Sequence, residues 1–170
     1  MSALRNIRML ARYGAWADAR LYEALAALPE NEITRRRNAG SGSILRTLNH
    51  AFVVDLIWQA NLQGKPHGFT QRNTDTLPAF GALREQQREL DAWYVGCADA
   101  LDQAAHDEAV QFRFVDGGPG TLRRGDMLLH IVNHKTYHRG YVAEMLYESA
   151  LKPPTIDLPV YLRDVAQDDT

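Results

Sequence analysis

A single cysteine, Cys97, stands in 170 residues, so the chain cannot close a disulfide on itself. Its helical setting and lack of a partner fit a small buried hydrophobe better than a reactive thiol. No stretch approaches the ~18 uninterrupted apolar residues that a membrane span requires. The opening MSALRNIRML has neither the apolar stretch nor the small-residue cleavage site of a secretory signal. With the lone cysteine, this leads to the expectation of a cytoplasmic protein without a membrane partner. An excess of one charge is missing too: 19 Lys and Arg oppose 21 Asp and Glu, a formal net charge of −2. That balance offers no global attraction to nucleic acid, which is therefore not expected as a partner. The one basic run, Arg35-Arg36-Arg37, reads as a solvated loop. There is no internal repeat and no low-complexity tract.

What the chain does have is helical periodicity. A content of 45% hydrophobic and 24% charged residues suits a soluble globular fold, and the length suits one domain over 1–170. Small and apolar residues Ile7, Leu10, Ala11, Gly14, Ala17, Leu21, Leu25 and Leu28 follow a 3–4 spacing, which predicts a helix from about Ala3 to Leu28, capped by Ser2 and stopped by Pro29. A second helix begins after the turn Gly40-Ser41-Gly42-Ser43, with Ser43 as its cap, and runs to about Leu62. A polar loop from Gly64 to Thr76 follows. Thr76 is the expected cap of a third helix from about Pro78 to Ala104. Val110 to Val115 alternates with period two before the turn Asp116-Gly117-Gly118-Pro119-Gly120, and Thr121 to Arg124 supplies the return strand of a hairpin. The fourth helix is expected from about Asp126 to Leu151, ended by Pro153-Pro154, with Asp126 complementing the helix dipole. A short helix over Pro159 to Arg163 closes the pattern, and Gln167 to Thr170 is expected to fray. Four amphipathic rods of about 30–40 Å bury their stripes best against one another. The fold class is therefore all-α: a four-helix bundle with a small β-hairpin before the last long helix.

The chemistry concentrates in HIVNHKTYHRG, which places His130, His134 and His138 four residues apart on one helix. Side chains at i and i+4 stand one above the other, close enough for two imidazoles to reach one divalent metal. His50, within RTLNHAFVVDLIW, lies on the apolar side of the second helix and can meet such a pair if the helices pack. His130 and His138 lie about 12 Å apart along the axis, too far to share an ion. Either His130–His134 or His134–His138 can serve as the pair. His67 and His106 read as solvent-facing. Lys135, not Glu, follows His134, so the zinc-peptidase pattern is absent.

These segments, with the opening LARYGAWADARLYEALAAL and the closing LPVYLR, resemble the DinB/YfiT-like superfamily of bacterial metalloproteins over nearly the whole chain. The resemblance implies an up-down-down-up bundle that generally forms a homodimer. It also implies a divalent metal held by His50, His134 and His138, with His130 as a neighbour. Several of the better-understood relatives are thiol-dependent transferases or isomerases. The resemblance thus implies a low-molecular-weight thiol and a small electrophile as substrates of a thiol S-transferase. Its alternatives are a non-catalytic metal-binding stress-response protein or a metal-dependent hydrolase. Zinc or nickel leads the expectation for the metal, with iron and manganese also served by imidazole. Family members commonly carry Asn where this chain has Gly14 and Asp18, so a helix–helix contact made by those amides does not carry over. Arg139 is expected to close a helix contact as a salt bridge. Trp58 and Trp93 read as core aromatics that can edge a pocket, and Asn49, Asp55 and Tyr137 as neighbours of the site.

Overall fold

Pro29, Ser43 and Asp102 set where helices start and stop in this computed structural model, which describes residues 3–37 and 42–165. The first helix, α1 (Ala3–Leu25), tightens into i to i+3 bonds through Ala27 and Leu28, and Pro29 then opens a short α2 (Glu30–Thr34). Ser43 accepts a hydrogen bond from the Arg46 amide at 3.1 Å and starts α3 (Ile44–Leu62). After the polar connection come α4 (Phe80–Asp99), the short α5 (Gln103–Asp107), the hairpin β1 (Ala109–Arg113) and β2 (Pro119–Arg123), α6 (Arg124–Leu146) and α7 (Leu158–Asp164). The strands pair antiparallel, with Val110 opposite Leu122 and Phe112 opposite Gly120. The Ser2 cap, the Gly40-Ser41 part of the turn and the fraying of Gln167 to Thr170 lie outside the described residues.

The architecture is the expected all-α bundle with a hairpin preceding the last long helix. Helix α1 packs on α4 and α6, and α3 packs on the same two, so α1 and α3 face each other across the diagonal. Leu21, Leu25, Ile44, Leu83, Met127, Met145 and Leu146 are essentially inaccessible and fill the space between. A smaller apolar group seats α7 on α1. There Tyr161 meets Tyr13 and Trp16 at centroid distances of 5.9 and 5.5 Å, and the Tyr13 hydroxyl donates to the Ile156 carbonyl.

Several expectations need correction. The third helix ends at Asp99 rather than near Ala104, because the Asp102 carboxylate caps a new helix by accepting from the Ala105 amide at 2.7 Å. Arg8 reaches from α1 to the Leu101 carbonyl at 2.6 Å and satisfies the interrupted end. Thr76 is not the cap of α4; Ala79 holds that position without a side-chain bond, and the Thr74 hydroxyl takes the Thr76 carbonyl instead. Helix α6 starts two residues early and stops at Leu146, where i to i+3 bonds and the Ser149 hydroxyl close the turn. The arginine run is only partly solvated. Arg37 is 5% exposed and donates to the carbonyls of Met145 and Glu32, tying the segment before α3 to the end of α6.

Candidate metal centre

Because α3 and α6 pack directly, His50 faces the turn of α6 that carries His134 and His138. Ring centroids lie 5.4 Å apart for His50–His134, 4.6 Å for His50–His138 and 4.4 Å for His134–His138. One nitrogen from each of the three falls within 4.8 Å of the others. His134 Nε2 and His138 Nε2 are 3.1 Å apart. Two nitrogens on a tetrahedral zinc, each at 2.0–2.1 Å, would sit about 3.3 Å apart. The three rings are thus close enough to hold one metal ion. His130 is outside this set, its ring tilted against Trp58 at 4.8 Å and 5.7 Å from His134. The pair drawn together with His50 is therefore His134–His138.

The rings are prepared as neutral donors. Burial, reinforced by His138 and His50, depresses His134 to about 3, and burial with His50 depresses His138 to about 4. Burial lowers His50 as well. A neutral imidazole carries one N–H and one lone pair. His50 Nδ1 meets the Arg72 carbonyl at 2.9 Å, so it must carry the proton and leave Nε2 with its lone pair free. His134 Nδ1 and His138 Nδ1 are buried without a hydrogen-bond partner among the described residues. A metal on the two Nε2 atoms would leave the proton on each Nδ1, so the fit to a shared cation rests on three converging nitrogens and not on these unpartnered atoms.

Asn49, fully buried beside His50, secures the segment that orients it. Its amide nitrogen donates to Asn73 Oδ1 at 3.0 Å, and its oxygen lies 3.1 Å from the Thr74 hydroxyl, whose one proton it shares with the Thr76 carbonyl. Those residues follow Arg72, whose carbonyl holds the His50 ring.

Under the histidines lies an ionic cluster that the sequence reading missed. The buried face of α6 runs through Leu128, Ile131, Lys135, Arg139, Val142 and Leu146, so two cations occupy core positions. Lys135 Nζ sits 2.5 Å from Asp18 and 3.4 Å from Asp55, and it also contacts Asp91. Those carboxylates come from α1, α3 and α4, so one ammonium ties all four long helices. Arg139 bonds Asp18 at 2.8 Å, which makes the anticipated salt bridge; the departure at Asp18 thus supplies an ionic helix–helix contact. Gln87 donates to Asp55 and Asp91 at 3.0 and 2.9 Å. Burial raises Asp91 to about 7 and Asp55 to about 6, with Lys135 opposing both. Burial also pushes Asp18 upward, but Lys135 and Arg139 outweigh it and hold that carboxyl low. Three acids against two cations leave an excess negative charge, which one proton on the Asp55–Asp91 side neutralises.

Trp58 is 8% exposed and serves both as core and as wall of a cavity of about 200 Å³ that His134 and His130 also line. Phe114 and Val115 of the hairpin close its far side. Trp93 packs edge-on to Tyr94 and does not reach it. Tyr137 is exposed, with its ring on His138 and its hydroxyl on Tyr141. Two histidines depart from the solvent-facing expectation. His67 is half-buried and accepts from the Phe69 amide, and the side chain of His106 is only 14% exposed because it lies flat over Gly125.

Comparison with known proteins shows the family and the fold. Protein DinB of Bacillus subtilis (strain 168) is 25% identical over 163 residues, covering 90% of this chain and 91% of that protein. The crystal structure of a DinB-like protein from Bacillus cereus ATCC 10987 superposes with a TM-score of 0.65 at 15% identity, over 85% of this chain and 91% of that one, and shows the shared fold. The model of the DinB family matches residues 1–169, and the chain belongs to that family.

Proposed function

We propose that His50, His134 and His138 hold a divalent metal, zinc or nickel foremost, and that the protein uses it to transfer a low-molecular-weight thiol to a small electrophile. The observation that carries this reading is a set of three neutral imidazoles, with no carboxylate or cysteine completing it among the described residues, one of which, His134, also lines a cavity of about 200 Å³. Structural zinc sites close with four protein ligands, whereas three leave a position for substrate. A metal there would supply Lewis acidity that lowers the pKa of a thiol or water in the open position.

The chain's own groups favour the thiol. Hydrolysis calls for a general base, commonly a carboxylate, to take the proton of water. No carboxylate among the described residues lines the cavity, and Lys135, next to His134, is engaged below by three acids. The sequence resemblance to thiol-using relatives supports the same choice. Overall, a thiol and an electrophile bearing a leaving group give a thioether and the protonated leaving group, with no oxidant or reductant required.

Metal analysis of the purified protein, followed by a thiol panel with 1-chloro-2,4-dinitrobenzene, tests the reading. The expected result is about one metal per chain and turnover with at least one thiol, both lost in His138→Ala. Bound metal without turnover for any thiol would remove the transferase and leave a metal-binding protein. Absence of bound metal would remove both.

A further inference from the structure

We propose that the cavity lined by His134 and Trp58 binds a small single-ring or similarly flat ligand through a carboxylate gripped by Arg72 and Arg113. As an assignment of substrate class it rests on the function proposed above; as a binding site it rests on the cavity itself.

The charge lining argues first. Arg72 and Arg113 line this space together with Trp58, Ile57, Phe114 and His134, and no acid lines it among the described residues. Arg113 gives one hydrogen bond to the Gly117 carbonyl at 3.0 Å and has further donors to offer. Both arginines are exposed and neither has a carboxylate partner among the described residues. An arginine fork matches a planar carboxylate with two parallel bonds.

Position argues second. Arg72 and His134 line the same cavity, and the Arg72 carbonyl lies 2.9 Å from His50 Nδ1. A fixed cation beside a cation-binding site weakens that site in the empty protein. An anion seated between the two turns the repulsion into attraction on both sides. The main chain of Arg72 also holds His50, so the guanidinium belongs to a tethered segment rather than a free loop.

Size and wall chemistry argue third. A cavity of about 150 Å³ is enough to hold benzene, and this one measures about 200 Å³. Trp58 and Phe114 give flat apolar surfaces, and the His130 ring, tilted against Trp58, adds a polar edge. The outer groove of about 820 Å³ shares Asn61, Arg113, Phe114 and Val115 with the cavity, so a ligand has a route in from the hairpin side.

Calorimetric titration of the full chain, metal-free and zinc-loaded, with phenylacetate, phenylacetamide and 3-mercaptopropionate tests the site. Phenylacetate is expected to bind at least about tenfold more tightly than the uncharged amide, the scale of a charge-assisted bond. Arg72→Gln and Arg113→Gln should each remove about tenfold of that preference with an unchanged melting curve. If 3-mercaptopropionate shows the same arginine dependence in the metal-free protein, the carboxylate belongs to the thiol; if phenylacetate alone does, it belongs to the electrophile. Equal binding of acid and amide, indifference to both arginine variants, or no binding of any probe overturns the proposal. Because the metal-free arm needs neither metal nor turnover, its failure is separable from failure of the transferase reading.

Discussion

Asn49 sits beside a candidate ligand and never touches the ion position, yet two of its bonds fix the segment whose carbonyl aims His50. Partners of this kind typically contribute 10–100-fold to metal affinity. Asn49→Ala should therefore weaken zinc binding by about that factor, measured by competition with a chromophoric chelator. Affinity unchanged within about twofold would show that the Arg72 carbonyl stays put unaided. Asp91 gives the residue-scale pH effect. Its carboxyl is raised by burial from 3.8 to about 7, so the native state holds a proton that the unfolded chain has released between those values. Stability contributed by this group is present below pH ~4 and is lost as pH rises through ~7. Asp91→Asn should flatten that decline in urea midpoints from pH 4 to 7; an identical slope would assign the effect elsewhere. At this scale the histidines were legible, since i, i+4 spacing is a local signal. Lys135 was not. Its partners lie on three other helices, and a stripe drawn from apolar residues alone passes over a lysine in the core.

The hairpin shows how an element carries its own register. Phe112 folds its ring over Gly120, directly opposite, where an added Cβ would fall 2.4 Å from the ring. The ring has little freedom to retreat, because it is 7% exposed and packs 5.0 Å from Trp58. Gly120→Ala should cost about 1–3 kcal/mol, the usual range for forcing atoms into a packed site. Gly96 offers the contrasting control. It lies exposed within α4 and a Cβ there meets nothing within 4 Å, so Gly96→Ala should gain about 0.5–1 kcal/mol from helix propensity. Chemical denaturation distinguishes the two signs, and a stabilising Gly120→Ala would refute the packing account. Long helices were readable from periodicity, and the strand alternation was readable from Val110 to Val115. Ends were less so. The break after Asp99 depends on Asp102 acting as a cap, a cue present in the sequence but outweighed by apolar residues that continue the stripe through Leu101.

Across the whole molecule, four rods of matched length announce a bundle, but their neighbours are not written in any one of them. That α1 lies diagonal to α3 follows from which faces fit, and the ionic cluster reports it by joining one acid each from α1, α3 and α4 to Lys135. Removing the cation while leaving three buried acids is severe. Lys135→Met should destabilise by about 3–5 kcal/mol in urea unfolding, whereas a loss below about 1 kcal/mol would mean that the acids are already protonated. The resemblance also leads us to expect a homodimer, which sedimentation equilibrium would test. The long crossover between α3 and α4 also holds one ring of the candidate metal centre. His50 leans on a carbonyl of that crossover, so its peptide bonds and the ion position are mechanically linked. A protease nick between Gly64 and Pro78 would slacken the ring, and bound metal should in turn slow the cutting, making digestion rate a readout of occupancy.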